Sequence, residues 1–579
     1  MLALQCGSGD GVIPSAISLP LSPEEVEDTV GHRLQSRTIR SVRLGELTVE
    51  YGVGTDRDGN RIIPGELRLI APPGNNFAYD TILFVTVLRY VRLMQREEIQ
   101  RHILKEHFFH ISTGSVSQLS LAGLAYLEKC HFAAAARLAE LYRRKCFFIH
   151  LDGTNEGGEY THFVIRDGMS RNVIYSEKIP SEGEASIVPV LEKVKSLFGI
   201  PSAVVSDMSE AIKNAVAKVF SGVPHRLCHF HFLKAIGKDL LSDHHQRMCI
   251  SVKSMKTTLC EIRKKTKDEQ AALHCGRTGR KRKGHYDCGW LISAIDRIND
   301  SGRDLGAEGF PFDLSALAFH ERCEQVFQAL EQILDSGVRP EAAWFCFLRN
   351  RLQQFLQWEK GDVAQIKTLN GIFGELRDIL HPKTEGERIP LNWGMQGGDI
   401  RASEMEPELE RLRLRAEKKI KSKGLTKYLR KAWKTVASRL KKQQGMLDPS
   451  IVIGKETVIL PRTNNLSETG FRDAKRKARR TTGKKNLSKH MDELPAQYFY
   501  TFNLDDPEYV RAVYGDGEIF DSFHLVDRKE VENTVEKIKA QRKAPNSVDY
   551  KLIRSKDYFE QLVRHYSAGH RVVRQKKVA

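Results

Sequence analysis

Three acidic residues stand where they can do chemistry together. Asp152 ends a continuous apolar run, Phe147-Phe148-Ile149-His150-Leu151, and Gly153-Thr154 follow it. Asp207 ends a second run, Ser202-Ala203-Val204-Val205-Ser206. Glu468 sits in the first turn of a helix that follows a short strand pattern at 451–460. Apolar runs of this length fit strands covered on both faces. Acids at the carboxyl ends of neighbouring strands converge in the crevice where open α/β sheets hold ligands. Three carboxylates in one crevice repel one another unless cations bind. Hard oxygen ligands suit Mg²⁺ or Mn²⁺. Two such ions, roughly 3.5–4 Å apart, can activate a water or a 3′-hydroxyl and stabilise the leaving oxygen of a phosphodiester. Taken singly, each acid also fits a plain role, as a turn residue at a strand end or an acid at a helix N-terminus. Their order along the chain and their basic flanks favour the shared centre.

The residues after Glu468 supply the opposite charge. Lys475, Arg476, Lys477, Arg479, Arg480, Lys484 and Lys485 follow it closely. A polyanion drawn to an acidic centre needs such neighbours for its phosphates. Segment 411–442 is also basic, with Glu417 as its acid. Cys228-His229-Phe230-His231 has Cys-x-x-His spacing. Within a strand over 225–232, an offset of three puts Cys228 and His231 on opposite faces, so the strand must end or bend if both serve one site. A zinc site there needs about two more ligands. His245 and Cys249 are near, and His274, Cys275, His285 and Cys288 form an alternative cluster. Isolated buried thiols and exposed imidazoles are the commoner explanation. Trp344, Trp358 and Trp433 are expected to pack in a core.

The elements that must position these residues follow from hydrophobic period. Residues 145–235 carry an α/β pattern. Strands are expected at 147–151, 160–166 and 172–179, the last two forming a hairpin through Asp167-Gly168. A helix at 187–198, the strand at 202–206, a helix at 210–220 and a strand at 225–232 follow. Residues 233–449 read as mainly helical. Towards the N-terminus, an acidic helix starts at Pro23, and 38–72 alternate as in a small antiparallel sheet. Helical segments at 81–94, 97–106 and 115–127 suggest a helix-turn-helix, with Ser115, Ser117 and Gln118 near the start of the reading helix. The organisation is an arm and small β region over 1–76, the helix-turn-helix over 77–135, and an α/β core over 140–235 and 451–500. A helical segment over 236–450 interrupts that core, and a basic tail covers 501–579.

Composition narrows the class. Lys and Arg number 91 against 73 Asp and Glu, a net +18, which favours a polyanionic partner. Apolar residues are 41% of the chain, enough to exclude full disorder. No run of ~18 uncharged apolar residues offers a membrane span. The first ten residues lack the pattern of a secretory signal. Ten cysteines, spread singly, suggest a reducing compartment.

The motifs together resemble D-D-E transposases with an RNase H-like catalytic domain. The residues that carry the resemblance are Leu151-Asp152-Gly153-Thr154, Val205-Ser206-Asp207-Met208-Ser209-Glu210-Ala211-Ile212 and Thr463-Asn464-Asn465-Leu466-Ser467-Glu468. The last continues into Phe471-Arg472-Asp473-Ala474-Lys475-Arg476 and Arg479-Arg480-Thr481-Thr482-Gly483-Lys484. The Cys-x-x-His spacing is similar to the motif of the Mutator-like and hAT-like group. Asp207 lies 55 residues after Asp152, and Glu468 lies 261 after Asp207, too far for one connection in a compact domain. In these families a helical insertion fills that gap. The resemblance implies an α/β RNase H-like core interrupted by a large, mainly α-helical insertion, preceded by the small β region and helix-turn-helix. It implies two Mg²⁺ or Mn²⁺ ions on Asp152, Asp207 and Glu468, with Cys228 and His231 supporting the site. Ser115, Ser117, Gln118, Lys475, Arg476, Arg479, Arg480, Lys484 and Lys485 would touch DNA. The implied activity is an insertion-sequence transposase that cleaves at element ends and transfers the 3′-hydroxyl to target DNA. Its expected partners are double-stranded DNA, with terminal inverted repeats and target, and a second copy of the chain. Its expected place is the bacterial cytoplasm, at the nucleoid. The rivals are an RNase H-like nuclease that cuts without joining, and a transposase-derived DNA-binding regulator.

Overall fold

The computed structural model describes residues 16–59, 61–144, 146–273, 283–300, 309–380, 402–463, 465–541, 557–560 and 562–564. They form a mixed α/β chain with mixed sheets. Contact density divides the chain into two compact units. The first comprises Met1–Pro201, Asn214–Ser221 and Ser467–Ala579, and the second Ser202–Lys213 and Gly222–Leu466.

The amino-terminal elements are β1 (Ala16–Leu19), α1 (Pro23–Glu27), β2 (Gly31–Ser41), β3 (Gly45–Thr55), β4 (Arg61–Ile62) and α2 (Gly65–Ile70). α1 starts at Pro23 because Ser22 and Glu25 cap it reciprocally. Leu47, Val49, Tyr51 and Val53 are buried on β3 while Glu46, Thr48 and Glu50 are exposed, the period of a half-covered strand. The strands within 38–72 pair antiparallel as expected, β2 with β3 and β3 with β4. Two expectations are corrected. The arm is not irregular throughout, since β1 joins the sheet parallel to β3. The strand pattern also stops short of 72, because α2 is a helix that buries Leu67. Six residues are too few to separate a period of 2 from one of 3.6.

The next helices are α3 (Tyr79–Thr86), α4 (Arg96–His107), α5 (Thr113–Ala133) and α6 (Ala135–Arg144). The first expected helix is shorter than read, passing into a π-helical turn at Val87–Val91, and the third is longer. α5 starts where the Ser112 side chain accepts from the Ser115 amide, and it is buried around most of its circumference. At Gly123 it approaches α3 so closely that a Cβ would overlap Thr86 Oγ1.

Five strands then appear: β5 (Phe148–Thr154), β6 (Thr161–Asp167), β7 (Val173–Ile179), β8 (Ala203–Ser206) and β9 (His225–Leu227). Helices α7 (Glu184–Phe198) and α8 (Glu210–Val219) intervene. In the first unit the strand order is β7-β6-β5, and in the second β8 neighbours β9. β5, β6 and β7 are antiparallel, and β8 and β9 are parallel. The expected strand over 225–232 is corrected: it ends at Leu227, and Cys228 is the N-cap of α9 (His229–Ala272). The apolar run through Phe232 and Leu233 continues at Ile236, Leu240 and Leu241, all buried, which is helical spacing.

In the second unit α9 spans about 66 Å at 1.5 Å per residue. It packs with α10 (Lys283–Asn299), α11 (Ser315–Asp335), α12 (Phe345–Leu380) and α14 (Lys427–Lys442), while α13 (Ala402–Lys421) packs on α12 and α14. The hairpin β10 (Ser450–Ile453) and β11 (Glu456–Ile459) leads towards α15 (Asn465–Thr482). Trp433 is in the core as expected, but Trp358 is 85% exposed on α12, which corrects its assignment to a core.

The remaining elements are α16 (Ser488–Glu493), a 3-10 helix (Ala496–Asp505), α17 (Pro507–Tyr514), a 3-10 helix (Ile519–Leu525) and α18 (Arg528–Gln541). The expected basic tail over 501–579 is corrected: its described part buries Leu504, Tyr509, Val513, Tyr514 and Phe523. Its Asn503 side chain donates to the Val173 carbonyl (2.8 Å) and accepts from the Val173 amide (2.7 Å), closing the edge strand β7. No helix among the described residues is long and apolar enough to cross a membrane.

Candidate active site

Asp152 is the fifth residue of β5 and is only 7% exposed. The antiparallel register sets His150 opposite Arg166, Asp152 opposite Val164, and Thr154 opposite His162. Strand alternation puts these six side chains on one face. Ile149, Leu151, Phe163 and Ile165 fill the other. The ladder therefore has one apolar face and one polar face, both buried. Burying polar groups is costly unless they are bonded or paired, so packing alone does not account for this face. Arg166 Nη1 donates to the Arg171 carbonyl (3.1 Å), and its guanidinium lies 5.3 Å from the Phe502 ring centre. Burial pulls Arg166 down to about 10, and the charge of Asp152 opposes that pull. It stays cationic at neutral pH. His162 Nε2 lies 2.8 Å from the Met491 carbonyl, and burial lowers its pKa to about 4.

α15 approaches this polar face at Gly470. Phe471, Ala474 and Ala478 are buried, whereas Arg472, Arg476, Arg479 and Arg480 are exposed, an amphipathic pattern. Phe471 meets Phe499 edge-on at 5.5 Å, and Phe499 meets His162 at 5.5 Å. Gly470 lies against Arg166, where a Cβ would fall 2.5 Å from Nη2. The backbone of Glu468 is helical two residues before this contact, and its side chain lies outside the described residues. Lys475, expected at DNA, pairs with Glu156 at 2.5 Å. Lys484 and Lys485 are exposed.

The loop that follows Asp152 is clamped. Asn155 Oδ1 accepts from the amides of Gly157 (2.6 Å) and Gly158 (3.0 Å). The Asp492 carboxylate accepts from the amides of Glu159 (3.1 Å) and Tyr160 (3.3 Å). A side chain at Gly158 would overlap that carboxylate. Sequence reasoning passed over Arg166, Glu156 and Asp492. The alternation His162-x-Val164-x-Arg166 in a buried strand was a readable signal. Asp492 had none, because its partners are backbone amides 333 residues away.

In the second unit Asp207 follows β8, half-buried, and its Oδ1 accepts from the Ser209 amide (2.9 Å), the turn that leads into α8. Ser206 Oγ is 2.8 Å from His225 Nε2, and burial lowers the His225 pKa to about 4. The Cys228 amide donates to the Ser206 carbonyl (2.8 Å), so Cys228 adjoins the strand end that Asp207 follows. Cys228 is fully buried at the N-cap and His231 is in the first turn of α9. Positions three apart there share a side of the helix, which is the bend that a common role required. His229, between them, is buried, with Nε2 2.7 Å from the Leu447 carbonyl. Several cations of segment 411–442 already have partners: Arg413 pairs with Glu410 and Glu417 (both 2.5 Å), and Arg439 with Asp239 (2.6 Å).

Among the described residues no three His, Cys, Asp or Glu side chains cluster as a metal site. His245 Nε2 and Cys249 Sγ are 3.4 Å apart, while His274 and Cys275 lie outside the described residues. On α5 the Ser117 hydroxyl donates to the Thr113 carbonyl (3.2 Å), Ser115 Oγ is 2.9 Å from Ser112 Oγ, and Gln118 is exposed.

No family model and no curated protein matches the chain. Among solved structures it is similar to the Drosophila P element transposase strand transfer complex. The identity is 11%, over 78% of this chain and 96% of that chain, at a TM-score of 0.31. A likeness at that score decides nothing about this protein.

Proposed function

We propose that this chain is a DNA transposase that cleaves DNA at the ends of a mobile element and joins the freed 3′-hydroxyl to a target strand. Asp152, Asp207 and Glu468 are its reactive carboxylates in this reading. The observation that carries it is Arg166: this buried cation feels the charge of Asp152 and adjoins the first turns of α15, the helix that carries Glu468. Nothing in ordinary packing calls for a buried acid, a buried guanidinium and a basic helix on one sheet face.

The donor set is three carboxylates, hard oxygen ligands that fit Mg²⁺ or Mn²⁺. Two such ions, when bound, supply Lewis-acid stabilisation of the attacking and leaving oxygens. The residues of the chain do the rest. Arg166 offsets the charge of Asp152, Asp492 fixes the loop after β5, and Cys228 supports the strand end before Asp207. The exposed cations of α15 hold phosphates. In the first step a water oxygen attacks the phosphorus at the element end, the P–O3′ bond breaks, and a 3′-hydroxyl is released. In the second that hydroxyl attacks a target phosphorus and the target 3′-oxygen leaves. One P–O bond forms as one breaks each time.

The test is Mg²⁺- or Mn²⁺-dependent cleavage and strand transfer on labelled DNA bearing the element ends. Asp152→Asn, Asp207→Asn and Glu468→Gln should each abolish both steps and leave DNA binding intact. Cleavage without joining in the wild type would favour a nuclease. Full activity in Glu468→Gln would remove that residue from the centre.

A further inference from the structure

A cavity lies in the first unit, between the β2–β3–β4 sheet, the segment 72–75 and the start of α18. Its volume is about 320 Å³, at the lower end of the roughly 300–1,000 Å³ of small-molecule sites. Arg37, Arg61, Arg68 and Arg528 line it, against the one carboxylate of Asp527. Arg528 is already committed, pairing with Glu532 at 2.7 Å and reaching the Pro73 carbonyl. Arg37, Arg61 and Arg68 have no carboxylate within ion-pair distance among the described residues.

Arg37 is the informative one. Its Nη1 donates to the carbonyls of Pro72 (3.3 Å) and Asn75 (2.9 Å), and its guanidinium lies 5.5 Å from the Tyr51 ring centre. Its Nε and Nη2 are buried and meet no acceptor among the described residues. Buried donors left unbonded usually mark a place for a bound ion or water. Among the described residues Arg61 beside it bonds neutral oxygens, Gln35 Oε1 (2.5 Å) and the Tyr51 hydroxyl (3.3 Å). Burial and the Arg61 charge both push the Arg37 pKa down. Arg61 and Arg68 are exposed, so the cost of a partly buried charge falls on Arg37, and a bound anion would offset it.

We infer that this cavity is a binding site for a phosphate monoester. Three uncompensated guanidinium groups match a dianion better than a single carboxylate, and their forked donors suit tetrahedral phosphate oxygens. Tyr51, Tyr79 and Tyr126 line the same cavity and leave an apolar surface for the organic part of the ester. The site is independent of the carboxylate centre proposed above.

The phosphate can belong to the 5′ end of a DNA strand or to a small phosphorylated compound. Two arms on the full-length chain separate these sources. The first compares binding of a labelled single strand with a 5′-phosphate and the same strand with a 5′-hydroxyl, in the wild type and in the variant Arg61→Glu/Arg68→Glu. Both substituted side chains are exposed, so the fold should survive. The second follows displacement and thermal stabilisation by phenyl phosphate. If the phosphorylated strand binds about tenfold more tightly in the wild type and the double variant loses that preference, the site takes strand ends. If phenyl phosphate stabilises the wild type and not the variant, with no strand preference, the site stands and its ligand is a small ester. No discrimination in either arm, or a preference that survives in the variant, overturns the proposal. Arg37→Met is the confirming variant and should act like the double one.

Discussion

A buried carboxylate and a buried guanidinium on one sheet face are hard to remove singly. Removing Arg166 takes away a buried cation near Asp152 and leaves the Arg171 carbonyl without its donor, a loss of about 1–3 kcal/mol. Arg166→Met should lower the denaturation midpoint strongly, while Asp152→Asn/Arg166→Met should lose less than the sum of the singles. Strict additivity across the four proteins would show that the two residues do not interact. Gly470 belongs to the same scale. Alanine there meets Arg166 Nη2 at 2.5 Å, and because Arg166 is buried it has little room to yield. Gly470→Ala should destabilise by about 1–3 kcal/mol and slow DNA cleavage, as read by denaturation and product formation on one preparation.

At the scale of elements, two joints stand out. The edge of β7 is closed by side chains of the 3-10 segment: Asn503 bonds both polar groups of Val173, and the Tyr500 hydroxyl accepts from the Ser176 amide (3.2 Å). Asn503→Ala leaves a buried amide and a buried carbonyl unbonded, at about 1–3 kcal/mol each. Hydrogen exchange at the Val173 amide should speed up far more than at amides in the middle of β6; equal protection in variant and wild type would count against this role. The α15 helix is the other joint. Its apolar stripe is buried, with Phe471 against Phe499 and Ala478 against Leu487 and Met491, and its arginines at 472, 476, 479 and 480 are exposed. If these hold phosphates, Arg476→Glu/Arg479→Glu/Arg480→Glu should weaken DNA binding. It should also flatten the log–log salt dependence by about 2–3, measured by titrating labelled duplex at several salt concentrations.

For the molecule as a whole, buried histidines set the response to acid. His131 bonds Tyr509 Oη (2.9 Å) and the Ile174 carbonyl (3.0 Å), and burial lowers its pKa from 6.5 to about 4. His162 and His225 are lowered to about 4 by the same cause. The folded chain refuses a proton that the unfolded chain accepts. The stability these groups contribute is therefore complete above pH 6.5 and is lost as pH falls from 6.5 towards 4, by up to about 3 kcal/mol each for His131 and His162. Denaturation midpoints should drop across that window, and His162→Gln should flatten the drop; an unchanged slope in the variant would mean that His162 titrates normally. The net charge of +18 acts at the same scale, favouring a polyanion without choosing which surface it meets.

Much of this was written in the sequence by itself. The strands at Phe148–Thr154 and Ala203–Ser206 follow from continuous apolar runs, and the basic helix after Glu468 from the capping residues before it. Asp207 follows β8 as expected, but β5 runs on past Leu151, so Asp152 lies within the strand and not at its end. Short or two-sided segments did not follow. Gly65–Ile70 alternates like a strand and folds as a helix, and Leu227 to Leu233 changes from strand to helix at Cys228. Local pattern is ambiguous there, so packing decides. The last 80 residues read as a charged tail because their 3-10 helices and short α-helices are too brief to show a period. What only tertiary structure decided were pairings across hundreds of residues: Asp492 with the loop after β5, Asn503 with β7, and Gly470 with Arg166. Each joins a side chain or an empty Cβ position to a distant partner, and such a contact leaves no trace in local sequence because the fold brings the two together only after each element has formed.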